Sequence, residues 1–273
     1  MKINDFARSI LLGENLEDKL IEMDPGKINW DTPDEFVLPK TPGRSLKISL
    51  SDKNIKFPKG HLHEIEKKAI ALNSFANHEL LATEMMAAAL LIYPHHTDEL
   101  KKFKLGVLSA LKDEQKHFKL YTGRLNELGF EFGDFPLNDF FWRQMEKLKT
   151  PSEYLSSMAL TFEAANLDFA YHYQKIFEEI EDFKTAEILS IVVKEEISHV
   201  GLGVHYLNKW RGDKTLWNYY LETLPWPLTP ARAKGKIFNT ELREKSKMPA
   251  TFIDEMKKYQ DDFKVTKRKE WKK

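Results

Sequence analysis

Cysteine is absent from the 273 residues. That excludes disulfides, thiolate metal sites and thiol catalysis together. A surplus of charge is missing as well. Lys+Arg and Asp+Glu each number 42, so no global field favours nucleic acid or an anionic membrane surface. The local exception is 264–273, with six basic residues and one Glu, which reads as a solvated terminus. Long oily runs are lacking too. The longest, Met85 to Tyr93, is too short to span a bilayer, and the opening Met-Lys-Ile-Asn-Asp has no apolar signal core. The expectation is a cytoplasmic protein with no membrane partner, for which nucleic acid is a disfavoured one.

Glycine and proline are scarce, at 12 each, and unevenly placed. Pro25, Pro33, Pro39, Pro42 and Pro58 punctuate the N-terminal segment, with Gly26 and Gly43 among them. Residues 1–60 should therefore be extended and turn-rich after a short first helix, packing on the main body. Pro225, Pro227, Pro230 and Pro249 break up 213–273 into short helical pieces that wrap the same body. Between them, 61–212 carries the helical period. A first long helix runs from about Leu62 to Ile92, where Pro94 stops it. A second has Thr97 as its N-cap and Gly129 at its end. A third opens on Thr150-Pro-Ser-Glu153, a capping box with proline at the first helical position. A fourth covers Phe183 to Trp210 and ends at Gly212. Two short links and one long crossover, Phe130 to Lys149, make an all-α four-helix bundle.

One four-residue word occurs twice in that body: Glu114-Gln-Lys-His117 and Glu196-Ile-Ser-His199. Three residues apart on a helix, the carboxylate and imidazole share a face. Apolar residues flank both pairs at helical spacing, Val107, Leu111 and Phe118 in one case, Leu189, Val193 and Val200 in the other. A carboxylate on an oily stripe is costly to bury unless something pairs with it, and a metal ion is the natural partner. Each word follows a lone glutamate on the preceding long helix, Glu79 ahead of Glu114 and Glu163 ahead of Glu196, at nearly equal spacing. The order Glu, then Glu-x-x-His, thus recurs as a duplicated helix hairpin would give it, and it matches the ligand inventory of ferritin-like di-iron proteins. The expected metal ligands are Glu79, Glu114, His117, Glu163, Glu196 and His199.

Two further acids compete. Glu84 and Asp168 each stand one helical turn or so past the lone glutamate of their hairpin. With the first turn of the chain near Pro94, Glu79 and Glu114 lie at similar distances on either side of it, whereas Glu84 is much nearer. At about 1.5 Å per residue, Glu79 comes within about 5 Å of Glu114's level and Glu84 misses by about 12 Å. Depth does not separate Glu163 from Asp168. The more enclosed Phe162-Glu163-Ala-Ala setting favours Glu163 as ligand and leaves Asp168 a supporting role. His61, His63, His95 and His96 sit near helix ends and read as capping or surface residues, His78 points elsewhere round its helix, and His172 and His205 read as structural.

Four carboxylates and two imidazoles without thiolate suit iron, with manganese or a mixed pair as the variant. Two such ions sharing carboxylates activate dioxygen, and hydroxylation of a C–H bond is the archetypal use. The segments His78-Glu79-Leu-Leu-Ala-Thr-Glu84, Asp113-Glu114-Gln-Lys-His117-Phe118, Leu128-Gly-Phe-Glu-Phe-Gly-Asp134, Phe162-Glu163-Ala-Ala-Asn-Leu-Asp168 and Glu195-Glu196-Ile-Ser-His199-Val200 resemble the domain-of-unknown-function family 455 of the ferritin-like superfamily. The resemblance spans about residues 60–240 and implies a ferritin-like four-helix bundle with a di-iron centre, but no settled reaction. A more distant similarity runs to the di-iron hydroxylases of modified tRNA. The function expected first is an O2-dependent oxidase or hydroxylase of a small organic substrate, fed by a ferredoxin or flavin reductase and running as a monomer or dimer. An iron-binding ferroxidase without organic substrate and a tRNA-modifying hydroxylase are the alternatives.

Overall fold

The computed structural model describes residues 1–30, 36–51 and 56–262. The basic tail and Pro33 lie outside them. The described chain is all-α, with two isolated β-bridges and no strand among the described residues, and it divides into two compact units, Met1–Glu146 and Lys147–Lys273.

The first unit is built on a hairpin of two long helices, α3 (Ile65–Ile92) and α4 (Asp98–Glu127), preceded by α1 (Ile3–Leu12) and the single turn α2 (Leu16–Lys19). Local chemistry fixes the hairpin's ends. Pro94 holds Tyr93 extended, with φ −90° and ψ 146°, and so ends α3. Thr97 caps α4 by accepting from the Leu100 N–H, with Asp98 and Glu99 in the first turn. Gly129 takes φ +85°. There its N–H donates to the Asn126 carbonyl and that of Phe130 to Leu125, a Schellman closure that only a residue free of Cβ adopts cheaply. Through its second half, from Glu79 to Leu91, α3 is buried on every face. Such a helix must be covered all round. α4 covers one side of it and α1 another.

The first half of the crossover is tied to α3 through two asparagines. Asn73 accepts from the Gly133 N–H and donates to the Phe135 carbonyl, and Asn77 donates to the Asn138 carbonyl. Gly133, at φ +94°, is pressed against the Lys47 carbonyl, which a Cβ would meet at 2.3 Å. At the α3–α4 turn, His95 is buried rather than on the surface, because Lys104 reaches it. The lysine ammonium lies 2.9 Å from His95 Nδ1 and donates to the Leu90 carbonyl at 2.6 Å.

The second unit repeats the hairpin. Its first arm is interrupted. α5 (Pro151–Ser157) passes into a π-helical turn, Met158–Glu163, before α6 (Ala164–Glu179) resumes the ordinary helix. The Thr150–Glu153 capping box is formed in full. The second arm, α7 (Phe183–Trp210), is capped by Asp182, which accepts from both the N–H and the hydroxyl of Thr185, and Gly212 at φ +59° follows its end. α8 (Leu216–Thr223), α9 (Thr240–Lys245) and α10 (Ala250–Lys258) follow, α8 and α9 packing directly on α7. No described helix is long and apolar enough to cross a membrane.

Burial pushes the Lys104 ammonium down to about 8. From about pH 8 up to the ordinary lysine value, the unfolded chain therefore holds a proton that the folded protein has released. Stability should rise with pH across that window. The urea midpoint, measured at pH 7.5, 8.5 and 9.5, is expected to climb in the wild type and to climb less in Lys104→Met.

Candidate metal centre

In the first unit, α3 supplies Glu79 and α4 supplies Glu114 and His117. All three are buried, Glu114 and His117 completely. Each offers a ligand-type atom, and these atoms lie within 4.8 Å of one another. The helical turn between Glu114 and His117 does what the spacing predicts, setting His117 Nδ1 3.6 Å from Glu114 Oε2. Hairpin geometry does the rest, since Glu79 and Glu114 stand at similar depth from the turn.

The second unit holds the same cluster. Glu163 closes the π turn, α7 supplies Glu196 and His199, and ligand-type atoms of the three again lie within 4.8 Å of one another. All are buried. His199 Nδ1 is 3.1 Å from Glu196 Oε2, while Asn166 donates to Glu196 Oε1 at 2.7 Å. Asn166 thus fixes one carboxylate oxygen and leaves the other beside the imidazole. Sequence reasoning placed Asn166 only as a neighbour of Glu163. Its role follows from the α6–α7 contact.

The two competing acids are used elsewhere. Glu84 is fully buried and doubly paired, with Arg44 Nη2 2.7 Å from Oε2 and Lys19 Nζ 3.0 Å from Oε1. Arg44 also reaches Asn77 Oδ1, and Lys19 the Ile10 carbonyl. Burial pulls the Lys19 ammonium below its ordinary value, against the opposing pull of Glu84. Asp168 forms the matching pair with Arg243, at 2.6 and 2.9 Å, and also accepts from the N–H groups of Gly235 and Asn239. Arg243 is itself fully buried, donating to the Ala164 and Ala233 carbonyls and lying 3.9 Å from the Phe238 ring centroid. A carboxylate neutralised by a bidentate guanidinium has its lone pairs committed. Both acids are therefore latches, each binding a long helix to an irregular segment distant in the chain. Nothing local in the sequence announced Lys19, Arg44 or Arg243, each of which stands at least 40 residues from its partner acid.

His78 stacks on Phe141 at 4.9 Å between centroids, and burial pushes its imidazole down to about 4. It is neutral and packed on a crossover aromatic. His61, His63 and Glu64 also approach within 4.8 Å of one another, but all three are exposed and remain hydrated, so their proximity alone defines no site.

These features define an all-α protein that carries, in each of its two units, a buried cluster of two carboxylates and an imidazole. The chain belongs to the family described as "Protein of unknown function (DUF455)", whose model matches residues 7–254. It is similar to an uncharacterized protein of Haemophilus influenzae, 32% identical over 111 residues, a stretch that covers 38% of this chain and 38% of the relative. No solved structure matches.

Removing Arg243 takes from the buried Asp168 carboxylate its cationic partner, a change that costs about 3–5 kcal/mol. Arg243→Met should therefore lower the denaturation midpoint far more than any exposed Arg→Met control. Glu84→Gln should lower stability while leaving bound metal per chain, read by elemental analysis, unchanged.

Proposed function

We propose that the two clusters hold iron, two ions per chain, and that the protein is an O2-dependent oxidase or hydroxylase acting on an organic substrate. The observation that carries this reading is the recurrence of one buried donor set, Glu79 with Glu114 and His117, then Glu163 with Glu196 and His199. Charge-bearing side chains so thoroughly withdrawn from water need a cationic counterpart. Glu84 and Asp168 have theirs in lysine and arginine. For the clusters, the chemistry of the donors fits a metal. Four carboxylates and two imidazoles with no sulfur are hard-to-borderline ligands, suited to iron or manganese rather than to a tetrahedral thiolate zinc site. They are also the inventory of ferritin-like di-iron carboxylate proteins.

Glu114 with His117, and Glu196 with His199, are the chelating pairs, each offering one oxygen and one Nδ1 from a single helical turn. Glu79 and Glu163 supply the remaining carboxylates from the opposite arm of each hairpin. Asn166 orients Glu196. A bound iron pair supplies the two electrons with which dioxygen is activated. The chain's own part is to hold the donors in a dry interior, since the α3 and π-turn surroundings of Glu79 and Glu163 are apolar and buried. α1 lies along α3, and α8 and α9 along α7. These additions beyond the bare hairpins are material for a substrate pocket, which a protein devoted to iron storage does not need. Turnover requires an external reductant, of the ferredoxin or flavoprotein class.

The test is elemental analysis of protein purified from iron-replete cells, followed by optical spectra as the reduced protein meets oxygen. Two irons per chain and an oxygen-dependent absorption change are expected, and metal-free protein that takes up no iron on anaerobic addition would sink the reading. Glu114→Ala should lose at least one ion. Ion binding should also raise the thermal midpoint, by an amount equivalent to about 2.7 kcal/mol at a hundredfold excess over Kd.

A further inference from the structure

We propose that Tyr220, acting through Thr161, is a positioning residue that fixes where Glu163 stands; this rests on the di-metal reading above. Glu163 is the last residue of the π turn Met158–Glu163, and the N–H that follows it, on Ala164, still reaches back five residues to the Ala159 carbonyl. A π turn holds one residue more than an α-helix of the same span. Converting it to ordinary helix would rotate one side against the other by about 100°. The position of Glu163 relative to α5 thus depends on the turn persisting.

Both sides are anchored, which gives the turn its purpose. On the far side, Asp168 is locked to Arg243, and Arg243 also holds the Ala164 carbonyl. On the near side, hydroxyls lock α5 to α8: Ser152 meets the Tyr219 OH at 2.8 Å and Ser156 meets Thr223 Oγ1 at 2.6 Å. The turn takes up the mismatch between two fixed ends. It is also supported directly. Thr161 donates its only hydroxyl proton to the Ser156 carbonyl, five residues back, at 2.7 Å. Its contact with Tyr220, 2.8 Å away, must then be one in which the phenol donates and Thr161 accepts. In the first unit α3 runs through Glu79 as ordinary helix, and the hydroxyl of Thr83, four residues past Glu79, keeps α-helical spacing by donating to the Glu79 carbonyl.

Two more observations mark the turn as built. Gly203 on α7 leaves room for it, since a Cβ there would come 2.5 Å from Ala159 Cβ. Tyr220 is itself held in place, fully buried with its ring 5.3 Å from that of Phe252 and 5.7 Å from that of Trp217. The phenol is therefore a rigid strut from α8 to a hydroxyl that bonds across the π spacing. The strut gives the second cluster a glutamate whose helix departs from α geometry under tertiary contact, whereas α3 is ordinary helix through Glu79.

Cobalt(II), added anaerobically to the full chain, reports both the number of ions and, through its visible ligand-field bands, the geometry of each. The wild type is expected to bind two. Tyr220→Phe and Thr161→Val should weaken one of the two by tenfold or more and shift its bands, whereas Thr161→Ser, which keeps the hydroxyl, should restore the wild-type spectrum. A purely structural role would lower the thermal midpoint and leave stoichiometry and bands unchanged in the folded protein. Gly203→Ala, which presses on the turn from α7, should shift the same bands and serves if Tyr220→Phe fails to fold. Two ions of unaltered affinity and spectrum in both Tyr220→Phe and Thr161→Val overturn this inference and spare the metal reading. A wild type that binds no cobalt overturns both.

Discussion

Putting carboxylates where water cannot reach is the constraint around which this chain is organised. Glu79, Glu84, Glu114, Glu163, Asp168 and Glu196 are all buried on helices whose neighbouring residues are largely hydrocarbon. Each is costly alone, and the fold disposes of them in two ways. Glu84 and Asp168 meet arginine or lysine. The other four gather in pairs with an imidazole, an arrangement that concentrates donors of negative charge in one place. The same hairpin thus carries, little more than a helical turn apart, one acid matched to a cationic side chain and one that the proposed centre commits to a metal.

The arrangement recurs with variations that are themselves informative. Each hairpin pairs its latch with an arginine from outside the hairpin, Arg44 ahead of α3 and Arg243 beyond α7. Each sets its lone glutamate opposite a Glu-x-x-His. The arms that bear those glutamates differ: α3 is regular from end to end, while its counterpart carries the π turn that ends on Glu163. A duplicated unit that keeps its donors but departs in backbone geometry at one of them has two non-equivalent halves. Non-equivalence suits chemistry in which two ions have different tasks.

Much of the fold could be read from the residues because its boundaries are set locally. Pro94, the Thr97 cap, the Thr150–Glu153 box and the glycines at 129 and 212 act on their immediate neighbours. They mark helix ends whatever the tertiary structure. Glu114 with His117 and Glu196 with His199 were visible for the same reason, and chain depth alone separated Glu79 from Glu84. What depended on distant contacts stayed hidden. Depth did not tell Asp168 from Glu163, only the apolar setting favoured Glu163, and Arg243, which occupies Asp168, lies 75 residues on. The π turn left no trace, because its residues are buried on every side and offer no polar face whose slip in period would betray it. His95 was misjudged because position near a helix end says nothing about Lys104, which folds back onto it from the next helix.

The two latches close at different moments in the life of the chain. Arg44 and Lys19 leave the ribosome before Glu84 does, so the first hairpin meets its counter-charges as it forms. Asp168 must wait for all of α7 and α8 before Arg243 emerges, and until then its helix carries an uncancelled charge that opposes compaction. Vectorial synthesis therefore gives the first unit a head start and makes completion of the second contingent on its own last helices.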